Sequence, residues 1–349
     1  MPQRRTCWAR GARAAFLSGV AFALVACTDE RGGLERALVG RGRVAIVGEV
    51  DRAQLHPSGT SFVPYAQSSA LAKALGASDP SSLVHAMVDA GVDALLVDTH
   101  TKASPRSLAD RLARYARLPG LQGAYFGRSA ALYGLDPIRD WSSKLRDGLA
   151  EVARRLIGGA PPPRVSSFPD VVRRLEPVEV MVLLRDGTHP RLWRSARGSS
   201  FARALLTATA VARQRWVERS AALGGPLGKK LPTMSVELSL LQDDGEIGVR
   251  DAAFIDRVVL PVHGVGYERK GGWHYLLPEA TRSGGRQPSR AYTQLFADDG
   301  LSEDSLDNPD LRLYRLAVQL IGISPPDKPG KEPDDGLSEV NTPAEVLEP

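Results

Sequence analysis

Apolar positions along this chain change period repeatedly, and each change marks an element. Residues 43–48 (Arg43-Val-Ala-Ile-Val-Gly48) are a short apolar run with polar flanks, which reads as a buried strand. Residues 69–75 and 81–90 repeat at helical spacing. Ser78-Asp79-Pro80 supplies a cap and a first-turn proline for the second helix, and Gly91 ends it. Residues 93–98 return to the strand pattern. After Ser104-Pro105, residues Leu108, Leu112, Tyr115 and Leu118 fall at helical spacing and predict a helix. Residues 122–127 and 130–133 read as short strands around Arg128-Ser129. Residues 42–138 thus predict a small α/β domain.

The second half opens on a strong amphipathic segment over 141–157. Leu145, Leu149, Val152, Ala153 and Leu156 share one stripe, while Lys144, Arg146, Asp147, Glu151, Arg154 and Arg155 lie mostly off it. Glycines 158–159 and prolines 161–163 stop it. Residues 178–184 read as a strand ending in the turn Asp186-Gly187, and Ser199-Ser200 cap a long helix over 201–222. In 235–241, Val236, Leu238 and Leu240 alternate with Glu237, Ser239 and Leu241. Residues 255–262, 264–269 and 274–277 predict further strands, and 292–296 and 311–321 complete the ordered part. From Ser324 on, Pro, Asp, Glu and Gly replace any apolar period, predicting a disordered acidic tail over 324–349. The expected fold class is an α/β unit followed by an α+β domain over 139–323, with a mixed or antiparallel sheet and packed helices.

The first 26 residues differ from all of this. Arg4, Arg5, Arg10 and Arg13 precede an apolar run over 14–23, broken only by Ser18 and Gly19, and Leu24-Val25-Ala26 leads to Cys27. This is a secretory layout of basic start, apolar middle and small residue. The apolar stretch of about 13 residues falls short of the about 20 that span a bilayer. Leu24-Val25-Ala26-Cys27 resembles the lipobox of bacterial lipoproteins. The resemblance implies cleavage before Cys27, a lipid on its thiol, and attachment to a bacterial membrane facing the periplasm or the cell surface. Residues 27–41 then read as a polar tether. Cys7 and Cys27 are the two cysteines. After such processing no free thiol remains, which excludes a disulfide, a cysteine nucleophile and a cysteine-type zinc site.

Charge narrows the partners. The formal net charge of +5 includes the four leading arginines, and the remaining basic residues are interspersed rather than clustered. A concentrated basic stripe is the footprint of nucleic-acid binding, so nucleic acid is not an expected partner. The membrane, through the anchor, is, together with a small anionic ligand or an envelope protein.

Five motifs in order give 141–322 a resemblance to the AMMECR domain. Val180-Met-Val-Leu-Leu-Arg-Asp-Gly187 is similar to a family strand ending in an acidic-Gly turn, and the Ala-rich helix 202–222 follows. Leu231-Pro-Thr-Met-Ser-Val-Glu-Leu-Ser-Leu-Leu241 resembles the family's L-P-x-L-x-V-E-I-S-V-L strand. Val262-His-Gly-Val-Gly-Tyr267 resembles its G-x-H-G-L turn, and Gly271-Gly-Trp-His-Tyr-Leu-Leu-Pro278 its G-x-x-G-L-L-L-P segment. Asp299-Gly-Leu301 resembles its K-A-G-L. The family hallmark L-R-G-C-I-G is missing. In its place stands Thr188-His-Pro-Arg-Leu-Trp-Arg194, where Pro190 and Trp193 exclude the close backbone approach that glycines permit. The hallmark's role does not carry over.

Candidate chemistry is sparse. His263 sits in a turn, where it reads as a pocket acid or base or as a structural ring bonded to backbone. Asp98-Thr-His100 ends a predicted strand, the place where α/β sheets line ligand crevices; its other reading is turn capping. His189, Arg191, Trp193, Arg194 and Arg197 form a basic-aromatic cluster on an expected loop, suited to an anionic group. His274 lies on a predicted strand, placed to meet His263 across the sheet. No metal spacing such as H-x-x-x-H, no Walker loop and no G-x-G-x-x-G occurs, so no metal and no cofactor are expected. The residues point to ligand or partner binding or scaffolding rather than to a named reaction. The alternative is an extracytoplasmic enzyme using His263 or the Asp98–His100 pair. If the anchor reading holds, Cys27→Ala leaves the precursor uncleaved and without lipid, measured by fatty-acid labelling and membrane fractionation; normal labelling contradicts it.

Overall fold

The computed structural model describes residues 30–50, 55, 57–101, 103–175, 178–187, 189–222, 231–260, 262–269, 272–278 and 287–326. The expected signal segment, Cys27, and nearly all of the acidic tail lie outside the described residues. The fold is mixed α/β, with helices packed on sheet that pairs both parallel and antiparallel. In chain order the elements are α1 (30–38), β1 (Arg43–Val47), β2 (Ser61–Pro64), α2 (Ser69–Gly76), α3 (Pro80–Asp89), β3 (Ala94–Asp98), α4 (Leu108–Ala113), β4 (Leu121–Phe126) and β5 (Ala130–Leu135). Then follow α5 (Ser143–Ile157), α6 (Asp170–Arg173), β6 (Val178–Asp186), β7 (His189–Gly198), α7 (Phe201–Ala222) and β8 (Ser235–Ile247). The last are α8 (Ala252–Val258), β9 (Gly264–Arg269), β10 (Gly272–Leu276), α9 (Pro288–Asp298) and β11 (Arg312–Ser324).

The chain divides into two compact units. Among the described residues, the first joins 30–136 to 243–315, and the second joins 137–242 to 316–326. In the first unit the strand order is β10-β9-β11-β8-β4-β5-β3-β1-β2, to which β11 contributes residues 312–315 and β8 contributes residues 243–247. β1 pairs parallel with β2 and β3, and β4 pairs parallel with β8. The β3–β5, β4–β5 and β9–β10 pairs are antiparallel. The near-continuous apolar runs of β1 and β3 follow from burial on both faces. Ala45, Val47, Leu95 and Val97 face one core cluster, with Leu71, Leu83 and Leu112 of α2–α4. Val44, Ile46, Ala94 and Leu96 face another, closed by Leu34 and Leu38 of α1.

In the second unit β6 pairs antiparallel with β7 and β8. Val180, Val182, Leu184, Val236, Leu238 and Leu240 alternate onto one face, against Leu149, Ala153 and Ile157 of α5 and Leu205, Ala208 and Ala212 of α7. Ser142 caps α5 by accepting from Leu145 N.

Several expectations are corrected. The division expected at 138/139 does not give one domain over 139–323. Residues 243–315 bury Ile247, Phe254, Val265, Tyr267 and Tyr292 in the same cluster as Val97 and Tyr133, and so belong with the first unit. The expected tether over 27–41 contains α1, because Leu34 and Leu38, one helical turn apart, both reach the core. Residues 255–262 begin as helix α8 rather than strand: Asp251 accepts from Ala253 N and Phe254 N, a cap that outweighs the β-branched run. The helix expected after Ser104 is confined to α4, since Arg106 and Tyr115 take positive φ of 72° and 61°. The loop expected around 188–197 is strand β7, in register with β6 from Leu192↔Leu184 to Gly198↔Val178.

Candidate functional site

His263 lies at the centre of the first unit rather than in an open pocket. It is fully buried, and its Nδ1 accepts from Leu260 N at 3.1 Å. Its Nε2 stands 3.6 Å from Asp244 Oδ2. The same carboxylate oxygen is 2.9 Å from Arg315 Nη2. Arg315 also donates to the carbonyls of Tyr115 (2.8 Å) and Val258 (3.1 Å), and its guanidinium lies 4.0 Å over the Phe126 ring. Burial, then the charges of Arg315 and Arg117, press the His263 pKa from 6.5 to about 2. A ring so held is neutral at physiological pH and serves as a turn-bonding group, not as an acid or base in a pocket. At the position before Asp244 on β8, burial chiefly lifts Asp243 from 3.8 to about 7, helped by Asp244, Glu246 and Glu268 and opposed by the hydrogen bond from Gly245 N.

Asp98 and His100 sit where the carboxyl ends of β1, β3, β4 and β8 gather, an arrangement set by their parallel or doubly antiparallel pairing. Asp98 is occupied with turns: Oδ1 accepts from His100 N at 2.8 Å and Oδ2 from Glu49 N at 3.3 Å. Gly48, with φ 92°, lets Asp98 and Thr101 approach where a Cβ would collide. Thr99 N donates to Ser129 O at 3.1 Å, and the His100 side chain is exposed. The Asp98–His100 pair is therefore a capped strand end, and its two side chains form no acid–base couple.

The basic-aromatic cluster is split by strand alternation. Leu192 and Ala196 face the helical core, which puts Arg194 on that side, near Arg215, Glu218 and Arg219. Trp193, 37% exposed, points to the other side with Arg191. Arg191 pairs with Asp186 at 3.2 Å. Arg194 donates to Trp193 O at 2.8 Å and Arg219 to Arg191 O at 2.8 Å. Carbonyls two residues apart point the same way along a strand. Among the described residues β7 pairs with β6 alone, so these two arginines cover its open edge, as edge strands require. The structure does not describe the His189 side chain or Thr188. An open groove of about 520 Å³ between α5 and α7 is lined by Leu156, Leu206, Val217 and Arg213 among others. None of the described residues expected from sequence lines it.

His274 meets a partner set that was not expected. The β9–β10 register puts His274 directly opposite Tyr267, and the two rings stack at 4.8 Å and 5°. Asp299, just past α9, receives both: Tyr267 OH donates to Oδ2 at 2.5 Å, and His274 Nδ1 stands 2.8 Å from the same oxygen. Burial, then Asp299, raises the Tyr267 pKa well above its usual value, while Arg269 acts in the opposite sense. The phenol therefore stays a donor, and the carboxylate fixes Nδ1 as the protonated ring nitrogen. Nε2 carries no hydrogen bond among the described residues, on a side chain 35% exposed. Two residues along β9, on the same face as Tyr267, Arg269 is half-buried with no ion pair among the described residues. Its cross-strand neighbour is Gly272, where a Cβ would stand 3.7 Å from His274 Nε2, so no side chain of that residue covers the ring nitrogen. His263 and His274 thus do not meet; each takes its own carboxylate. Sequence reading missed Tyr267 and Asp299. Two residues separate the paired Arg269 and Gly272, and counting back from there would have put Tyr267 opposite His274; no local signal points to Asp299.

Among the described residues, no group of three or more His, Cys, Asp or Glu is placed to hold a metal ion, and no helix is long and apolar enough to cross a membrane. No family model and no curated protein matches the chain. Among solved structures, the chain is similar to an uncharacterised protein, PH0010, from Pyrococcus horikoshii. The identity is 16% and the TM-score 0.41, over 54% of this chain and 96% of that one.

Asp243 and His263 give opposed pH dependence. Below about pH 6.5 the unfolded chain binds a proton at His263 that the folded chain refuses, so that group's contribution falls on acidification. Between about 3.8 and 7 the folded chain holds a proton on Asp243 that the unfolded chain has lost, so that contribution grows on acidification. From about pH 4 to 6.5 the two offset. Urea unfolding across this window should show His263→Asn gaining stability toward pH 4 and Asp243→Asn losing it. Parallel pH profiles for both variants and the parent contradict the assignment.

Proposed function

We propose that this chain is a bacterial envelope lipoprotein, anchored through Cys27, whose folded body recognises a small anionic ligand or the anionic group of an envelope partner. The anchor rests on Leu24-Val25-Ala26-Cys27 after a basic-then-apolar leader. The AMMECR-like character of 141–322 belongs to the same proposal and rests on the five ordered motifs. One observation carries the binding reading: His274 is held at Nδ1 by Asp299 with its side chain 35% exposed, on the same strand pair and face as half-buried Arg269 and side-chain-free Gly272. A guanidinium and an imidazole nitrogen on one strand pair suit a carboxylate or a phosphate monoester. The β7 arginines serve less well, since Arg191 pairs with Asp186 and Arg194 is spent on a strand edge.

The same Asp299–His274 pair favours one second reading, an extracytoplasmic enzyme with His274 as general base. It replaces His263 and the Asp98–His100 pair in that role. Calorimetric titration of the full lipoprotein in detergent with inorganic phosphate and with acetate tests the binding reading. Saturable binding of at least one anion is expected. Arg269→Gln should weaken it about tenfold or more, the loss of a charge-assisted hydrogen bond. Equal affinity in parent and variant, or no saturable binding, contradicts it. Hydrolysis of an aryl ester or aryl phosphate that Asp299→Asn abolishes would favour the enzyme.

A further inference from the structure

If Cys27 carries the lipid, the distance to the folded body is very short. Only Thr28 and Asp29 lie between Cys27 and Glu30, the first described residue of α1. Three residue steps span at most about 10 Å when fully extended. Each leaflet's headgroup region is itself about 5–8 Å thick. The tether therefore reaches little further than the headgroups and one layer of side chains.

α1 is also firmly fixed at its start. The Glu30 carbonyl accepts from Tyr125 OH at 2.6 Å. Its carboxylate accepts from Arg128 N at 2.5 Å and from Ser129 N at 3.4 Å. Further along, Arg36 pairs with Glu246 at 2.6 Å, and Leu34 and Leu38 are buried. Unwinding α1 to lengthen the tether would expose both leucines to water, which the loss of apolar burial opposes. The attachment point is thus the sheet end of the first unit that carries the 127–129 turn, Asp98 to His100 and Glu49.

We infer that this sheet end of the first unit lies directly against the phospholipid headgroups of the anchoring membrane; the inference rests on the lipoprotein reading above. Arg128 suits that position. Its side chain is 60% exposed, and its Nη2 binds Asp251 at 3.1 Å, leaving further guanidinium donors for a phosphate. The face as a whole is mixed in sign, since Glu49 and Asp251 are exposed beside Arg128 and Arg31. Attraction to an anionic leaflet does not account for the apposition. The short covalent link imposes it, so the contact persists at high salt, unlike a polybasic contact that salt screens.

Thiol accessibility tests this cleanly, because the mature chain has no cysteine beyond Cys27. Lipidated protein is placed in phosphatidylethanolamine–phosphatidylglycerol vesicles and labelled with a membrane-impermeant maleimide. Two single substitutions are compared: His100→Cys at the apposed end, and Val39→Cys, 64% exposed, at the far end of α1. A second pair carries a flexible Gly/Ser insert of about 20 residues between Thr28 and Asp29, with a root-mean-square span of about 25 Å. The expected result is several-fold slower labelling of His100→Cys without the insert than with it, at low and high salt alike, with Val39→Cys unchanged. Equal rates with and without the insert, in protein whose Cys27 lipid is verified by mass spectrometry, overturn the apposition and leave the anchor standing. Protein without lipid on Cys27 overturns the anchor itself.

Discussion

The first unit depends on a charge with no access to water. Arg315 and Asp244 are almost completely buried and 2.9 Å apart. Removing two ions from water costs several kcal/mol each, and the pair compensates only if the remaining donors and lone pairs are also satisfied. Here they largely are. Arg315 donates to Tyr115 O, just past α4, and to Val258 O, at the C-terminal end of α8 where carbonyls lack helical partners. Asp244 Oδ1 accepts from Gly123 N at 3.0 Å. A side chain at Gly123 would strike the Asp244 carbonyl and the Phe126 ring, so this close crossing of β4 and β8 requires glycine. Residues 115, 123, 126, 244, 258 and 315 thus meet at one point, and two stretches distant in sequence become one folded body.

That constraint explains what was legible in the sequence. Elements defined by local period could be read: β1, α2, α3, β3, α5, β6 and α7 fall where apolar spacing and caps put them. What failed depended on partners far along the chain. The Arg312-Leu-Tyr-Arg-Leu316 run reads as a strand, but nothing local reveals that Arg315 turns inward to meet Asp244. One C-terminal domain is therefore the natural inference from order alone. α1 was hidden because Leu34 and Leu38 are only two apolar positions in a polar stretch, and the cluster they complete lies on β1 and β3. β7 was hidden because its arginines suggest a loop, although they are what guards an edge strand.

The candidate chemistry follows the same division. His263 was legible as a turn histidine, and its ring does bond backbone; its neutrality comes from burial, then Arg315 and Arg117, which no motif encodes. His274 was legible as a strand residue, but its value comes from Tyr267 across the ladder and Asp299 after α9. The surviving binding candidate is therefore a surface feature of the same unit that the buried pair assembles. The proposed anchor joins that unit too, through α1.

A double-mutant cycle on the buried pair tests this account most directly. Equilibrium unfolding in urea is compared for Asp244→Ala, Arg315→Met and the double variant, with amide exchange in β4, β5 and β9, which lie wholly in the first unit, identifying the unit affected. Each single change should cost about 3–5 kcal/mol, because it strands a buried charge. The double variant should cost clearly less than their sum, with protection lost in all three strands together. Single changes below about 1 kcal/mol, where ordinary surface ion pairs lie, or losses that simply add, would contradict the claim that this pair holds the unit together.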